Sequence, residues 1–203
     1  MIRIIHRGMA ALALLFGLLA IPATSAHAAS STAAAASDVI SNSFYMVNQQ
    51  SNRCAEIPGY SKKNGAHVDQ FTCAYDVHTN EMWEFRYVKR SHGVALHQII
   101  NAASRKCMNV AGASTANGAA VVQWPCSRSA TNGLWYRDEV AGYHVWRNGH
   151  SGKCLNVAGA SKKNGAWLVQ YTCGNYRNEH WKYVSMCEWG RDPLCVQPPW
   201  WGW

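Results

Sequence analysis

The segment from Lys153 to Trp181, KCLNVAGASKKNGAWLVQYTCGNYRNEHW, decides the fold because two earlier segments repeat its pattern. They are RCAEIPGYSKKNGAHVDQFTCAYDVHTNEMW, from Arg53 to Trp83, and KCMNVAGASTANGAAVVQWPCSRSATNGLW, from Lys106 to Trp135. Repeats of this length indicate a supersecondary unit that is copied along the chain and packs against its neighbours. The sequence therefore predicts three equivalent units.

Four markers keep their spacing in every unit: an opening Cys, an Asn-Gly pair, a Gln and a closing Cys. Each marker is displaced by 53 positions from the first unit to the second and by 47 from the second to the third. The markers are Cys54, Cys107 and Cys154; Asn64-Gly65, Asn117-Gly118 and Asn164-Gly165; Gln70, Gln123 and Gln170; and Cys73, Cys126 and Cys173.

The eight cysteines predict four disulfide bonds, because all of them follow the N-terminal apolar segment and an even count is typical of an exported protein. The two cysteines of each unit are 19 residues apart, so the simplest pairing joins them within the unit. The predicted bonds are Cys54–Cys73, Cys107–Cys126, Cys154–Cys173 and, in the tail, Cys187–Cys195.

The units read as β-structure, since helical periodicity is absent and Asn-Gly favours the positive φ angles of a type I′ hairpin turn. A short strand is expected after each turn, over 66–72, 119–125 and 166–172. Side chains alternate along a strand, so an aliphatic residue and the repeated Gln share one face while an aromatic residue takes the other. The aliphatic residues are Val68, Val121 and Leu168, and the aromatic residues are Phe71, Trp124 and Tyr171.

The aliphatic face and the Trp that ends each unit are expected to form the core. These tryptophans are Trp83, Trp135 and Trp181. A further strand precedes each unit, in FYMVNQ, ALHQII and YHVW. Three units of about four strands predict an all-β fold, a closed pseudo-threefold barrel with its hairpins forming a cap.

The ends of the chain differ from the repeats. Arg3 and Arg7 precede an apolar stretch that is too short to span a bilayer, and Ala26-His27-Ala28 has the small-residue pattern of a cleavage site. We expect a secreted protein cleaved near Ala28; a membrane anchor is the alternative if cleavage fails. The predicted parts are a signal peptide over 1–28, an Ala/Ser-rich linker over 29–41, a domain over 42–186 with repeats at 43–92, 93–141 and 142–186, and a Cys-closed, Trp-rich tail over 187–203.

Charge and motifs argue against several functions. Removal of the signal lowers the net charge from +8 to +6, and the basic residues form short pairs such as Lys62-Lys63, unlike a nucleic-acid groove. No Cys-x-x-Cys, His-Glu-x-x-His or Gly-x-Ser-x-Gly pattern is present, so we expect no metal, no cofactor, surface or loop histidines, and no catalysis. Asp69 and Asp76 form a carboxylate pair in one unit only, which does not support a glycosidase.

The repeated pattern resembles the ricin B-type lectins, β-trefoil modules of three homologous subdomains. The resemblance runs from about Phe44 to Val184. It rests on the Cys-Leu-Asn-Val-like opening, the Asn-Gly-Ala turn, the Val-x-Gln-aromatic-x-Cys strand and the closing Asn-x-x-Trp. It implies a carbohydrate-binding protein with a shallow galactose-type pocket in each unit.

The resemblance also assigns the sugar-binding residues by position. The family's acceptor Asp corresponds to Glu56, Asn109 and Asn156; its stacking aromatic to Phe71, Trp124 and Tyr171; its hydrogen-bonding Asn to Asn80, Asn132 and Asn178; and its Gln to Glu81, Gly133 and Glu179. No unit carries the full family set. Unit one, with a carboxylate, an aromatic ring and an Asn, ranks first, and in unit three Glu179 is a candidate to replace the missing acceptor.

Two alternatives stay open. The asparagines can serve turns and loop caps instead of a ligand, and the domain can be a protein-interaction module or the binding subunit of a separate toxin or enzyme. The tail, with Trp189, Trp200, Trp201 and Trp203, is either a contact surface for a partner or a cover for the barrel's open end. Exposed aromatic rings beside open polar pockets would favour the lectin function.

Overall fold

The computed structural model describes residues 43–74 and 78–185, which form twelve antiparallel strands and short 3₁₀ turns. No helix in these two stretches has the length and apolar composition needed to span a membrane. The strands are β1 Phe44–Asn48, β2 Cys54–Glu56, β3 Asp69–Phe71, β4 Met82–Ser91, β5 Val94–Asn101, β6 Cys107–Val110, β7 Val121–Trp124, β8 Trp135–Val140, β9 Tyr143–Asn148, β10 Cys154–Val157, β11 Ala166–Tyr171 and β12 Trp181–Ser185.

Six strands close into a barrel. β1 pairs with both β4 and β12, and the ring continues through β5, β8 and β9 back to β12. Every backbone edge in the ring is therefore paired, which removes the exposed edge that an open sheet would present.

The other six strands form three hairpins, β2–β3, β6–β7 and β10–β11, which lie together as a cap. β3 pairs with β11, and single bridges from His67 to Val122 and from Ala120 to Val169 join the remaining neighbours. Six barrel strands and three joined hairpins form the capped barrel that the repeats predicted, and this is the β-trefoil that the family resemblance implied.

The predicted core is confirmed. Trp83, Trp135 and Trp181 are fully buried, as are Val68, Val121 and Leu168. Each indole N–H donates to a backbone carbonyl of its own unit, on Ala55, Met108 and Leu155 respectively. A buried indole needs such an acceptor, so the closing Trp both fills the core and ties β2, β6 or β10 to the barrel.

The repeated Gln joins each unit to the next. The side-chain amide of Gln70 donates to the carbonyls of Ser161 and Lys163 in the Asn-Gly loop of unit three. Gln123 makes the same pair of bonds to unit one, and Gln170 makes it to unit two. The Gln and the Asn-Gly loop repeat together because they are the two halves of one contact between units.

The predicted type I′ turn was wrong. Only the glycine of each Asn-Gly pair has a positive φ, near 80° at Gly65 and Gly118 and 74° at Gly165, whereas a type I′ turn needs a positive φ at both central residues. A positive φ at the second residue alone is the arrangement of a type II turn. The glycine N–H donates to the backbone carbonyl of the neighbouring unit's Gln, so this contact orients the turn.

Three of the four predicted disulfides are confirmed, Cys54–Cys73, Cys107–Cys126 and Cys154–Cys173. The fourth lies outside the described residues, as do the signal peptide, the linker and the Trp-rich tail.

The expectation of surface or loop histidines was wrong in part. His97 and His144 lie in barrel strands and are half-buried, whereas His180 lies in the loop before β12, where it is buried and stacks on Tyr143.

Candidate functional site

The three units place their predicted site residues alike. The acceptor position lies on the first cap strand of each unit, the aromatic residue ends the second, and the Asn belongs to the 3₁₀ turn before the core Trp. The rings of Phe71, Trp124 and Tyr171 are 43–49% exposed, because they alternate with the buried Gln of the same strand. Each unit thus presents a half-exposed ring beside polar groups.

Unit one has an open cleft of about 500 Å³, which we call the unit-one cleft. Glu56, Asp69 and Asn80 line it, with Phe71 and Tyr60 among the other lining residues. The side-chain amide of Asn80 donates to Oε2 of Glu56 at 2.7 Å and, more weakly, to the carbonyl of Ile57 at 3.3 Å. The amide therefore holds the Glu56 carboxyl in place at the base of the cleft.

Glu56 and Asp69 form a pair of neighbouring carboxyl groups in this cleft. They are directly opposite each other on β2 and β3. Burial raises the pKa of Glu56, and burial together with the neighbouring Glu56 charge raises the pKa of Asp69 to about 7. At and below neutral pH the pair therefore keeps a proton, and it offers both a donor and acceptors.

Two acceptor oxygens in the cleft have no protein partner, Oδ1 of Asp69 and Oδ1 of Asn80. Both residues are more than nine-tenths buried. An unpaired buried acceptor is costly, so a water or a ligand hydroxyl that reaches these oxygens would stabilise the site.

The residues at the family's Gln position act on the backbone. Glu81 accepts a hydrogen bond from the Ala74 N–H, and Glu179 accepts bonds from the N–H groups of Gly174 and Tyr176. Both carboxylates are buried. Their contacts hold the loop that follows the aromatic strand.

Unit two has a more apolar cleft of about 500 Å³ beside Trp124, which we call the unit-two cleft. The amide of Asn132 donates to the Val110 carbonyl and that of Asn109 to the Cys107 carbonyl. Val122 stands where unit one has Asp69. A Cβ on Gly133 would lie 2.4 Å from Oδ1 of Asn109, so the glycine leaves room for that side chain.

Unit three pairs its polar groups with one another. The amide of Asn178 donates to Oδ1 of Asn156 at 2.8 Å, and the amide of Asn156 donates to the Cys154 carbonyl and, at 3.4 Å, to Glu179. Glu179 thus contacts Asn156, but its carboxylate is already used by the loop. Tyr171 remains exposed beside these polar side chains, which hydrogen-bond to one another.

Asp69, Tyr60 and His78 also line the unit-one cleft, although the repeat pattern did not predict them as site residues. Asp69 is where the repeat breaks, since the equivalent residues are Val122 and Val169. This departure from the repeat could have identified Asp69 from the sequence. Within 43–74 and 78–185 no group of three or more His, Cys, Asp and Glu side chains is arranged to hold a metal ion.

A family model described as the ricin-type beta-trefoil lectin domain matches residues 42–184. The chain belongs to this family. Membership agrees with the barrel, the cap and the three ring-bearing sites described above. Comparison of the sequence with curated proteins returns no significant match.

Solved structures share the trefoil. The designed threefold-symmetric protein ThreeFoil is 28% identical with a TM-score of 0.65, over 71% of this chain and 99% of that one. An exo-beta-1,3-galactanase from Clostridium thermocellum is 23% identical with a TM-score of 0.65, over 71% of this chain but 30% of the enzyme. The C-half of an earthworm R-type lectin, solved with GalNAc, is 14% identical with a TM-score of 0.54, over 71% and 98%.

Proposed function

We propose that the chain is a secreted lectin that binds carbohydrate through shallow galactose-type sites, and that the unit-one cleft is its principal site. The observation that carries the proposal is a half-exposed Phe71 beside buried Asp69 and Asn80 oxygens that have no protein partner. A sugar needs both features, an aromatic surface for its apolar C–H face and acceptors for its hydroxyls.

The three sites are proposed to differ in strength. The unit-one cleft combines a carboxyl pair that holds a proton and carries a negative charge with an aromatic ring, and hydrogen bonds to a charged group are the stronger ones. The unit-two cleft has the larger ring, Trp124, but binds mainly through stacking. Unit three contributes least, because Asn156 and Asn178 satisfy each other.

A galactose-type ligand is supported by family membership and by the earthworm lectin solved with GalNAc. Secretion is supported by three disulfides, which persist in oxidising compartments. We propose binding without catalysis, no cofactor, and no nucleic-acid partner; the Trp-rich tail over 187–203 is proposed as a second contact surface.

The test is binding of the oxidised protein to immobilised glycans and insoluble polysaccharides, with single variants F71A, W124A and Y171A. We expect F71A to lose about tenfold in affinity, W124A to lose less and Y171A least. Y87A is the matched control, since Tyr87 is an equally exposed ring on barrel strand β4, away from the cap.

Equal binding by F71A and Y87A would contradict the assignment of the principal site. Absence of binding to every glycan would favour the protein-interaction alternative.

A further inference from the structure

A row of side chains crosses from unit one into unit three on the outer face of the cap. Glu56 on β2 is opposite Asp69 on β3, and Asp69 is in turn opposite Trp167 on β11. Directly opposite residues of antiparallel strands point to the same face and lie side by side. Trp167 is therefore the next side chain beyond the carboxyl pair of the unit-one cleft.

Trp167 also reaches toward unit two through His67. The two rings are stacked, with centroids 3.8 Å apart and planes 20° from parallel. His67 lies two residues before Asp69, forms a bridge with Val122, and lines the unit-two cleft together with Gly65. The stacked pair, His67 and Trp167, thus stands between the two clefts.

This pair is a departure from the threefold pattern. The equivalent position holds His67 in unit one, Ala120 in unit two and Trp167 in unit three. Although His67 covers part of it, the Trp167 side chain is 51% exposed. The only two large rings at this position meet each other across a unit boundary, and half of the larger ring faces solvent.

We propose that Trp167, backed by His67, is a sugar-binding subsite that joins the unit-one and unit-two clefts, so that the protein takes a chain of linked sugars rather than one terminal sugar. This inference rests on the proposed carbohydrate-binding function. The first sugar occupies the unit-one cleft, and the next stacks its C–H face on Trp167. A longer chain continues past His67 toward Trp124.

The choice of a saccharide chain follows from the surroundings of the ring. Polar acceptors lie on one side of it, at Asp69, and the ring of Trp124 borders the cleft on the other. Alternating aromatic platforms and hydrogen-bonding groups match the alternating C–H faces and hydroxyls of linked sugars.

The experiment measures affinity against chain length by calorimetry. The probes are galactose and β-1,3-linked galactose di-, tri- and tetrasaccharides, titrated into the full oxidised protein and its W167A, W167F, H67A and Y87A variants. We expect the wild type to gain about tenfold from the monosaccharide to the trisaccharide. W167A should lose that gain while keeping its affinity for galactose, W167F should keep most of it, and H67A should lose part.

Four outcomes overturn the inference. Affinity that does not depend on chain length leaves the lectin function standing and removes the subsite. Equal chain-length gains in W167A and Y87A do the same. Absence of binding by every saccharide overturns the proposed function as well. Unfolding midpoints of the variants establish that W167A is folded, and sedimentation that depends on Trp167 would assign the ring to contact between copies instead.

Discussion

Asp69 is the residue that separates unit one from its copies, because Val122 and Val169 occupy the same place in the other units. A carboxyl at this position meets Glu56 across the strand pair and raises the charge density of a buried site. Such a site keeps a proton that the unfolded chain would release. The carboxyl pair proposed to bind a ligand therefore also lowers the stability of the fold by an amount that depends on pH.

This loss of stability grows as the pH rises. The pKa of Asp69 rises from its ordinary 3.8 to about 7, so the folded protein holds more protons than the unfolded chain between those values. The contribution of Asp69 to stability is therefore lost as pH rises from about 4 to 7. At about pH 9 we expect the free energy of unfolding of D69N to exceed that of the wild type by about 1–2 kcal/mol. This difference is smaller than the full pKa shift of Asp69 implies, because water that reaches the cleft screens the charges.

The measurement is urea denaturation of both proteins at a series of pH values. The difference between them should close at acid pH, where both carboxyl groups are protonated. A difference that stays constant with pH would mean that Asp69 and Glu56 do not share a proton.

At the scale of the elements, the contact between the Gln and the neighbouring Asn-Gly loop explains the assembly of the cap. The three copies of this contact are not identical. Oε1 of Gln70 and of Gln170 accepts a bond from a serine hydroxyl, on Ser51 and Ser151, whereas Oε1 of Gln123 has no partner. A complete set of Gln hydrogen bonds, in units one and three, can therefore be compared with a partial set in unit two.

Replacement of these glutamines by Leu tests that difference. Q70L leaves two loop carbonyls without their donor and removes the nearer acceptor of the Ser51 hydroxyl, which keeps Asn48 Oδ1 at 3.4 Å. We expect it to lower the free energy of unfolding by about 3 kcal/mol. Q123L removes one bond fewer and releases an unpaired oxygen, so its loss should be smaller by about 1 kcal/mol. Equal losses in thermal or urea unfolding would show that the serine bonds do not matter.

The features that recur in all three units could be predicted from the sequence, whereas the site residues found in one unit only were not predicted. The spacing of Cys, Gln and Trp predicts the units, the disulfides and the core, because these residues act within a unit or alike in all units. The turn type was wrong because Gly65 takes its conformation from a neighbouring unit. Asp69, His67 and Trp167 were not predicted as site residues because each occurs in one unit only. Their contacts depend on the register between strands, which the sequence does not show.

On the scale of the whole molecule, we expect the three units to unfold as one cooperative structure. Each Gln holds the loop of a different unit, and the barrel strands of all three close one ring. A disulfide adds a local restraint to each unit by limiting its unfolded chain. Loss of one restraint should therefore weaken the whole domain together.

The double variant C107A/C126A tests this cooperativity. A loop of 19 residues predicts a loss of about 3 kcal/mol in the free energy of unfolding, still in one transition. Fluorescence and far-UV dichroism should give the same midpoint. Separate midpoints would mean that unit two unfolds on its own.

Binding of a sugar in the unit-one cleft is tested by an amide NMR titration of the labelled protein with galactose. We expect the Asn80 side-chain amide and the Asp69 backbone amide to shift first, the Trp124 indole to follow at higher concentration, and the Asn156 side-chain amide to stay in place. Saturating shifts confined to unit three, or no shift at Asn80 while galactose binds elsewhere, would contradict it.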